Sequence, residues 1–188
     1  MNNIFLRNPP YHFGQFETFA HVEMLTFFAK WIRPECYLEL GIRNGETFLN
    51  VVPHCKKAYA VDINPLPFKK TDNMEIFTMS TDLFFKSISK MNIMFDMVFI
   101  DADHSHEQSL KDFINVKDMI IDDGFIFLHD TYPYNKDFFG STACGDVYRT
   151  AHFIKQQYNK EFEIVTLPFH PGLTIIKKIN INKQLIWI

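Results

Sequence analysis

Long apolar runs are missing. Nowhere do about eighteen apolar residues follow one another, so no membrane span is expected. The stretch Met1 to Phe13 holds two prolines and scattered polar groups, without the apolar core of a secretory signal. Cysteine is scarce: Cys36, Cys55 and Cys144 lie far apart and form no Cys-x-x-Cys pair. That argues against a disulfide frame or a zinc site and points to a reducing compartment, the cytoplasm by default. Basic runs are missing as well. A net charge of -3 and a pI of about 6.2 lack the electrostatic footprint of a dedicated nucleic-acid binder. Internal repeats and low-complexity linkers are also lacking. What remains is a chain of 188 residues, 47% hydrophobic and 22% charged, with the size and profile of one globular domain. Its 21 phenylalanines supply core volume and say nothing specific about function.

Phe16, Phe19, Ala20, Met24, Phe27, Phe28 and Trp31 recur near helical spacing, which predicts a helix over 17–32 that Pro34 ends. Strands and helices then alternate. Cys36 to Leu40 reads as strand one and Glu46 to Val52 as a helix. Ala58 to Val61 is strand two, ending at Asp62. Glu75 to Met79 is strand three and Leu83 to Lys90 a helix. Phe95 to Ile100 is strand four, and Ser105 to Met119 a helix with Ser105 as N-cap. Asp123-Gly124 reads as a turn before strand five, Phe125 to Leu128. Val147 to Tyr158 is a helix with Asp146 as its cap. Phe162 to Leu167 and Leu173 to Lys178 form a hairpin around His170-Pro171-Gly172. Such alternation predicts an α/β domain, a doubly wound and mostly parallel sheet with an antiparallel strand from the last hairpin. The tail from Asn180 to Ile188 has no clear pattern.

Strand one runs into Gly41-Ile42-Arg43-Asn44-Gly45. Glycines at a strand-to-helix turn let a ligand approach the backbone, and the helix start offers free N–H groups. A Gly-x-x-x-Gly pair alone is weak and also suits an ordinary turn. Asp62, about 20 residues on at the end of strand two, adds a carboxylate placed to accept hydrogen bonds from ribose hydroxyls. Asp82, after strand three, either caps a helix or lies near an adenine amino group. Strand four ends in Asp101-Ala102-Asp103-His104, and strand five in His129-Asp130-Thr131. Neighbouring parallel strands would bring Asp101 and Asp130 close. Two carboxylates at that range repel unless a cation sits between them. Oxygen donors favour Mg²⁺, Ca²⁺ or Mn²⁺, and a histidine tilts the choice toward Mn²⁺ or a softer ion.

Glu39-Leu40-Gly41 with Gly45, then Asp62, Asp82 and Phe95 to Asp103, resemble the class I S-adenosylmethionine (SAM)-dependent methyltransferases over roughly residues 35–178. The resemblance implies a seven-stranded sheet. It implies that Gly41 to Gly45 packs against SAM, that Glu39 lies near the methionine amino end, that Asp62 holds the ribose, and that Thr81 and Asp82 lie near adenine. Asp101 borders the same cofactor site. The family usually has a further glycine where Arg43 stands.

The acid pair resembles the metal-dependent O-methyltransferases of the catechol and caffeoyl-CoA type and those acting on macrolide-like sugars. Carried over by position, Asp101, His129 and Asp130 would bind a divalent ion, Mg²⁺ or Mn²⁺. Asp103 matches the proposed general base of the sugar enzymes. His104 stands where a lysine is usual, and His129 where an acid is usual. The implied reaction moves a methyl group from SAM to a hydroxyl of a small molecule: a sugar, a phenol or another metabolite. Asp103 or His104 takes the proton. The alternatives are a methyltransferase without metal, another enzyme on the same scaffold, and a SAM- or nucleotide-binding domain without catalysis.

Residues 1–34 read as a cap segment on the same domain and 35–188 as the SAM-binding domain. Tyr11, His12, Phe13 and Phe16 suit either a lid or plain packing. The long loop Tyr132 to Gly145 reads as a lid. Asp122 and Asp123 shape a turn, His170 is a turn residue and Cys36 is core. The expected partner is a small-molecule acceptor, with no nucleic acid and no membrane. A homodimer is the commonest assembly for such a chain.

Overall fold

Apolar strands that are buried on both faces need a helical layer on each side. The computed structural model describes residues 13–140 and 142–180, and side chains from residue 21 onward. Within that range the order is α1 (Phe13–Ile32), β1 (Cys36–Leu40), α2 (Glu46–Val51), β2 (Lys57–Asp62), β3 (Met74–Thr78), α3 (Thr81–Ile88), β4 (Phe95–Ile100), α4 (His106–Val116), β5 (Ile120–His129), α5 (Tyr148–Gln157), β6 (Phe162–Leu167) and β7 (Leu173–Lys178). The seven strands form one sheet in the order β3-β2-β1-β4-β5-β7-β6. All neighbours pair in parallel except β7, which is antiparallel to both β5 and β6. The expected architecture and its inserted hairpin strand are both present.

The strand alternation divides the core in two. Leu38, Leu40, Val98, Ile100, Ile126 and Leu128 face α3, α4 and α5 through Phe84, Ile88, Phe113 and Ile154. Tyr37, Met97, Phe99 and Phe127 face the other way, onto Leu25 and Ala29 of α1 and onto Phe48 and Val51 of α2. Leu25 and Ala29, four apart on one face of α1, are the residues that place this helix against the second cluster. No described helix is long and apolar enough to cross a membrane. The three cysteines are free thiols.

Several boundaries differ from expectation. The first helix begins at Phe13 rather than 17, and β3 lies one residue earlier than read. α4 stops at Val116, because Met119 already gives its carbonyl to Phe95 N at the foot of β4. β5 therefore starts at Ile120, and Asp122-Asp123-Gly124 is an irregularity inside the strand instead of a turn before it. Asp123 takes φ 63 there, and the register with β4 shifts between Phe95 and Met97. Ser105 does cap α4, accepting from Gln108 N at 3.2 Å. Asp146 does not cap α5. Its carboxylate accepts from His106 N at 2.5 Å and from Arg149 Nη1 at 3.0 Å. Residues 1–12 and 181–188 lie outside the described range, as do the side chains of Phe13 and Phe16, and with them the expected aromatic lid and the tail.

α3 and α4 are joined by polar groups. Gln108 Nε2 donates to Thr81 Oγ1 at 3.0 Å and to Asp112 Oδ1 at 3.0 Å. Asp112 is fully buried, and its Oδ2 has no partner among the described residues. Burial pushes its carboxyl up to about 6, against the opposing pull of hydrogen bonds with Thr81 and Gln108. An unfolded Asp titrates near 3.9. The folded state therefore holds the proton more tightly, and the stability from this group is full below about pH 4 and lost as pH rises through about 6. Asp112→Asn is predicted to raise the unfolding free energy at about pH 7.5 by up to ~3 kcal/mol, with little gain near pH 4. Urea denaturation at the two pH values checks this; an equal effect at both contradicts it.

Candidate active site

The turn after β1 is pressed against the loop after β4. Gly41 has φ 84, and a Cβ there would meet the Asp101 carbonyl oxygen at 2.2 Å and Ala102 Cα at 2.5 Å. Only glycine fits. The contact falls between β1 and β4, where the strand order reverses and ligands of open α/β sheets bind. Arg43 adopts φ 44, a left-handed conformation costing a non-glycine residue about 1–2 kcal/mol. The glycine usual in the resemblance at this position has that physical reason. Asp62 offsets the strain: its Oδ2 accepts from Ile42 N at 2.9 Å and Arg43 N at 2.8 Å, and its Oδ1 from Asn64 N at 2.7 Å. A carboxylate offers about four acceptor positions, so Asp62 holds this turn and keeps capacity for a ligand. Gly45, at φ 76, closes the turn and starts α2, with the Phe68 ring packed beside it.

Glu39 lies beneath the turn, 1% exposed. It accepts from the Tyr37 hydroxyl at 2.6 Å and from the Phe48 backbone N–H of α2. Burial, and secondarily the charge of Asp101, hold its carboxyl well above the usual range. At the other end of the crevice Thr81 is buried at the start of α3. Asp82 beside it is engaged by Lys111, and by Gln108 Nε2 at 3.3 Å.

The structure brings Asp101, His104 and Asp130 together, with one donor atom of each within 4.8 Å of the others. His104 Nε2 lies 3.2 Å from Asp130 Oδ2 and 4.0 Å from Asp101 Oδ1. Its Nδ1 meets the Ala143 carbonyl. A carbonyl only accepts, so Nδ1 carries the hydrogen and Nε2 is the nitrogen turned to the acids. His129, expected in this group, occupies a different place. Its Nδ1 lies 3.1 Å from Asp101 Oδ1 and 3.4 Å from Asp130 Oδ1, on the α1 side of the sheet. Its buried Nε2 has no partner among the described residues. Burial alone would pull this imidazole down; the two carboxylate charges and hydrogen bonds outweigh it and hold it well above its ordinary value. Burial also works against the charge of Asp130, and His129, His104 and Cys144 together keep its carboxyl below the usual range. Asp130 has φ 59, a left-handed geometry that Asp tolerates better than most residues. Asp103 is exposed, and its Oδ1 accepts from Ser105 N at 2.8 Å at the start of α4.

The loop after β5 holds this arrangement. Gly145 (φ 57) would place a Cβ 1.7 Å from the His104 carbonyl oxygen, and Asp146 N donates to that oxygen at 3.1 Å. His170 is more than a turn residue. It is buried, its Nδ1 accepts from Tyr134 N at 3.2 Å, and its ring lies 4.2 Å from that of Phe138. It therefore pins the loop expected as a lid. Sequence reasoning also missed His21, whose ring lies 4.4 Å from His129 and 5.8 Å from Phe99. The signal was present, since His21, Leu25 and Ala29 recur every fourth residue along α1.

Comparison with known proteins bears on this crevice. The profile of the family described as "Methyltransferase domain" matches residues 38–131, from β1 to the residue after Asp130. A search among curated proteins finds no match. Among solved structures, the chain is similar to the O-methyltransferase from Bacillus cereus in complex with S-adenosylhomocysteine (SAH), at 12% identity and TM-score 0.66, covering 84% of this chain and 80% of that one. It is similar to the SAM-bound O-methyltransferase TomG from Streptomyces achromogenes, at 12% identity and TM-score 0.64, covering 85% and 80%. It is also similar to the SAH-bound Podospora anserina methyltransferase PaMTH1, at 13% identity and TM-score 0.63, covering 85% and 78%. At these identities the structures speak for the fold, and the family match spans half the sequence: the chain belongs to the methyltransferase-domain family and has the fold of the class I SAM-dependent enzymes.

Proposed function

We propose that this protein binds SAM across the turn after β1 and transfers its methyl group to a hydroxyl oxygen of a small acceptor, assisted by a divalent cation. The observation that carries the reading is the Asp101–His104–Asp130 group set directly beside the Gly41 contact. In this reading the Gly41 to Gly45 turn lies against the cofactor, Asp62 receives the ribose hydroxyls, and Thr81 and Asp82 border the adenine. Glu39 supports the methionine end from beneath the turn. The SAM or SAH held by the similar structures supports the choice of cofactor. The O-methyltransferases among them support oxygen as acceptor atom.

Two carboxylates and the Nε2 of an imidazole suit a divalent ion. Asp101, His104 and Asp130 would hold it, and the Ala143 carbonyl fixes His104 as an oriented metal-ligating histidine requires. Such an ion supplies stabilisation of the acceptor oxygen as its proton leaves. Asp103 takes that proton; His104, with one nitrogen on the Ala143 carbonyl and the other turned to the ion, is the alternative base only where no ion is bound. The acceptor oxygen then bonds to the methyl carbon, the sulfur–methyl bond breaks, and SAH leaves. The protein contributes mainly alignment of oxygen, methyl and sulfur. Three free thiols support a cytoplasmic location.

A second reading has its own observation. His129 bridges both acids through Nδ1 and already supplies a compensating positive charge, so the pair stands without a metal. A chelator separates the two. Under the first reading EDTA abolishes transfer, Mn²⁺ restores it better than Mg²⁺, and Mn²⁺ binding measured by calorimetry is lost in Asp101→Asn and in His104→Ala but kept in His129→Gln. Transfer indifferent to EDTA favours the second.

Asp62→Asn tests the cofactor site, because it removes the charge and keeps an acceptor for the turn. Loss of one charge-assisted bond to ribose costs about 1.5–3 kcal/mol, so SAH affinity is predicted to fall about tenfold or more. Unchanged affinity by calorimetry removes Asp62 from the site.

A further inference from the structure

Beyond β5 a second cavity of about 800 Å³ opens between α5 and the loop that follows the strand. It begins at Thr131, the residue after Asp130, and extends along α5 past Arg149, His152 and Lys155. No carboxylate is among its lining residues. Its lining includes a stacked aromatic pair, Phe139 and Tyr148, with centroids 5.1 Å apart and planes 24° from parallel.

Two independent features mark it as a binding site. The first is charge. Arg149 and Lys155 lie at i and i+6 on α5, on one side of the helix with the His152 imidazole between them. Arg149 also contacts Asp146 at 3.0 Å through Nη1. A guanidinium has five N–H donors, so most remain available to a ligand. The second is Thr131. It is 4% exposed, and its hydroxyl is buried with no partner among the described residues. An unpaired buried hydroxyl costs about 1–3 kcal/mol, a cost that a ligand acceptor or donor would remove.

We infer that this cavity seats an anionic group, a phosphate or a carboxylate, carried on an aromatic acceptor whose hydroxyl lies at the Asp101–His104–Asp130 centre. The anion meets Arg149 and Lys155, the aromatic part lies along Phe139 and Tyr148, and Thr131, the residue after Asp130, hydrogen-bonds the ligand. The link to the reacting hydroxyl rests on the methyltransferase reading. The anion site itself does not.

The test uses the full chain labelled with ¹⁵N and three probes of similar size: phenyl phosphate, benzoate and benzyl alcohol. The two anions are expected to saturate the protein and to shift the amide signals of Thr131, Tyr148, Arg149 and His152, while benzyl alcohol binds at least about tenfold more weakly. The stronger anion names the source, phosphate or carboxylate. Arg149→Gln with Lys155→Gln, at exposed positions, should keep the melting temperature and weaken the better anion about tenfold or more. Thr131→Val should weaken binding while raising the melting temperature, because the unpaired hydroxyl is gone. A purely structural Thr131 would leave binding unchanged. Equal binding of all three probes, shifts confined to other residues, or anion binding that survives the double substitution overturns the proposal. SAH binding is measured in parallel. Its loss with anion binding intact would defeat the methyltransferase reading alone, and the reverse would defeat the anion site alone.

Discussion

Asp101 and Asp130 end neighbouring parallel strands, and the pairing of β4 with β5 forces their carboxylates together. Two negative charges that close in a half-buried crevice raise each other's cost of ionisation unless positive charge lies between them. Much of the surrounding structure answers that constraint. His129 reaches both acids from the α1 side, and His104 reaches Asp130 from the α4 side. The loop after β5 exists in its observed form partly to hold His104 in place, through the Ala143 carbonyl and the glycine at 145 that lets the chain pass against it. A divalent ion would enter a centre that the protein has already balanced, in competition with an imidazolium.

The cofactor side depends on close backbone approach more than on charge. Gly41 lets the turn after β1 touch the loop after β4, so the crevice at the strand reversal is narrow at its base. Asp62 serves this geometry by tying down three backbone N–H groups, one of them on strained Arg43. A residue expected only as a ribose ligand thus has a structural duty in the same turn. Glu39 is similar: a strand-end acid whose carboxyl ties Tyr37 to the start of α2.

How far the site could be read in advance depended on the distance between cooperating residues along the chain. β1, β2 and β4 were legible because strands buried on both faces must be continuous apolar runs. The start of β5 was not, since Asp122-Asp123-Gly124 has turn composition whether it ends a strand or bulges inside one. His129 and Asp130 look like a pair because they are adjacent, but successive strand residues point to opposite faces. His129 reaches both acids from the α1 side, and His104, 25 positions earlier, approaches Asp130 from the other side. Nothing local to His104 shows this, because it is residues 143–146 that fix the ring and the backbone beside it. Asp112 was readable and was missed: Ser109, Asp112, Phe113 and Val116 recur at three- and four-residue spacing on the buried stripe of α4.

The sequence by itself determined the layered α/β architecture, the antiparallel insertion at its edge, and the acids and glycines at the strand ends. Those follow from hydrophobic period and turn chemistry, which act over a few residues. Only the tertiary structure decided how two histidines divide around the acid pair, which hydroxyl beside it has no partner among the described residues, and where α5 gathers its cations. Those are contacts between segments tens of residues apart. Their geometry is set by how sheet, helices and loops pack together, and no local pattern encodes it.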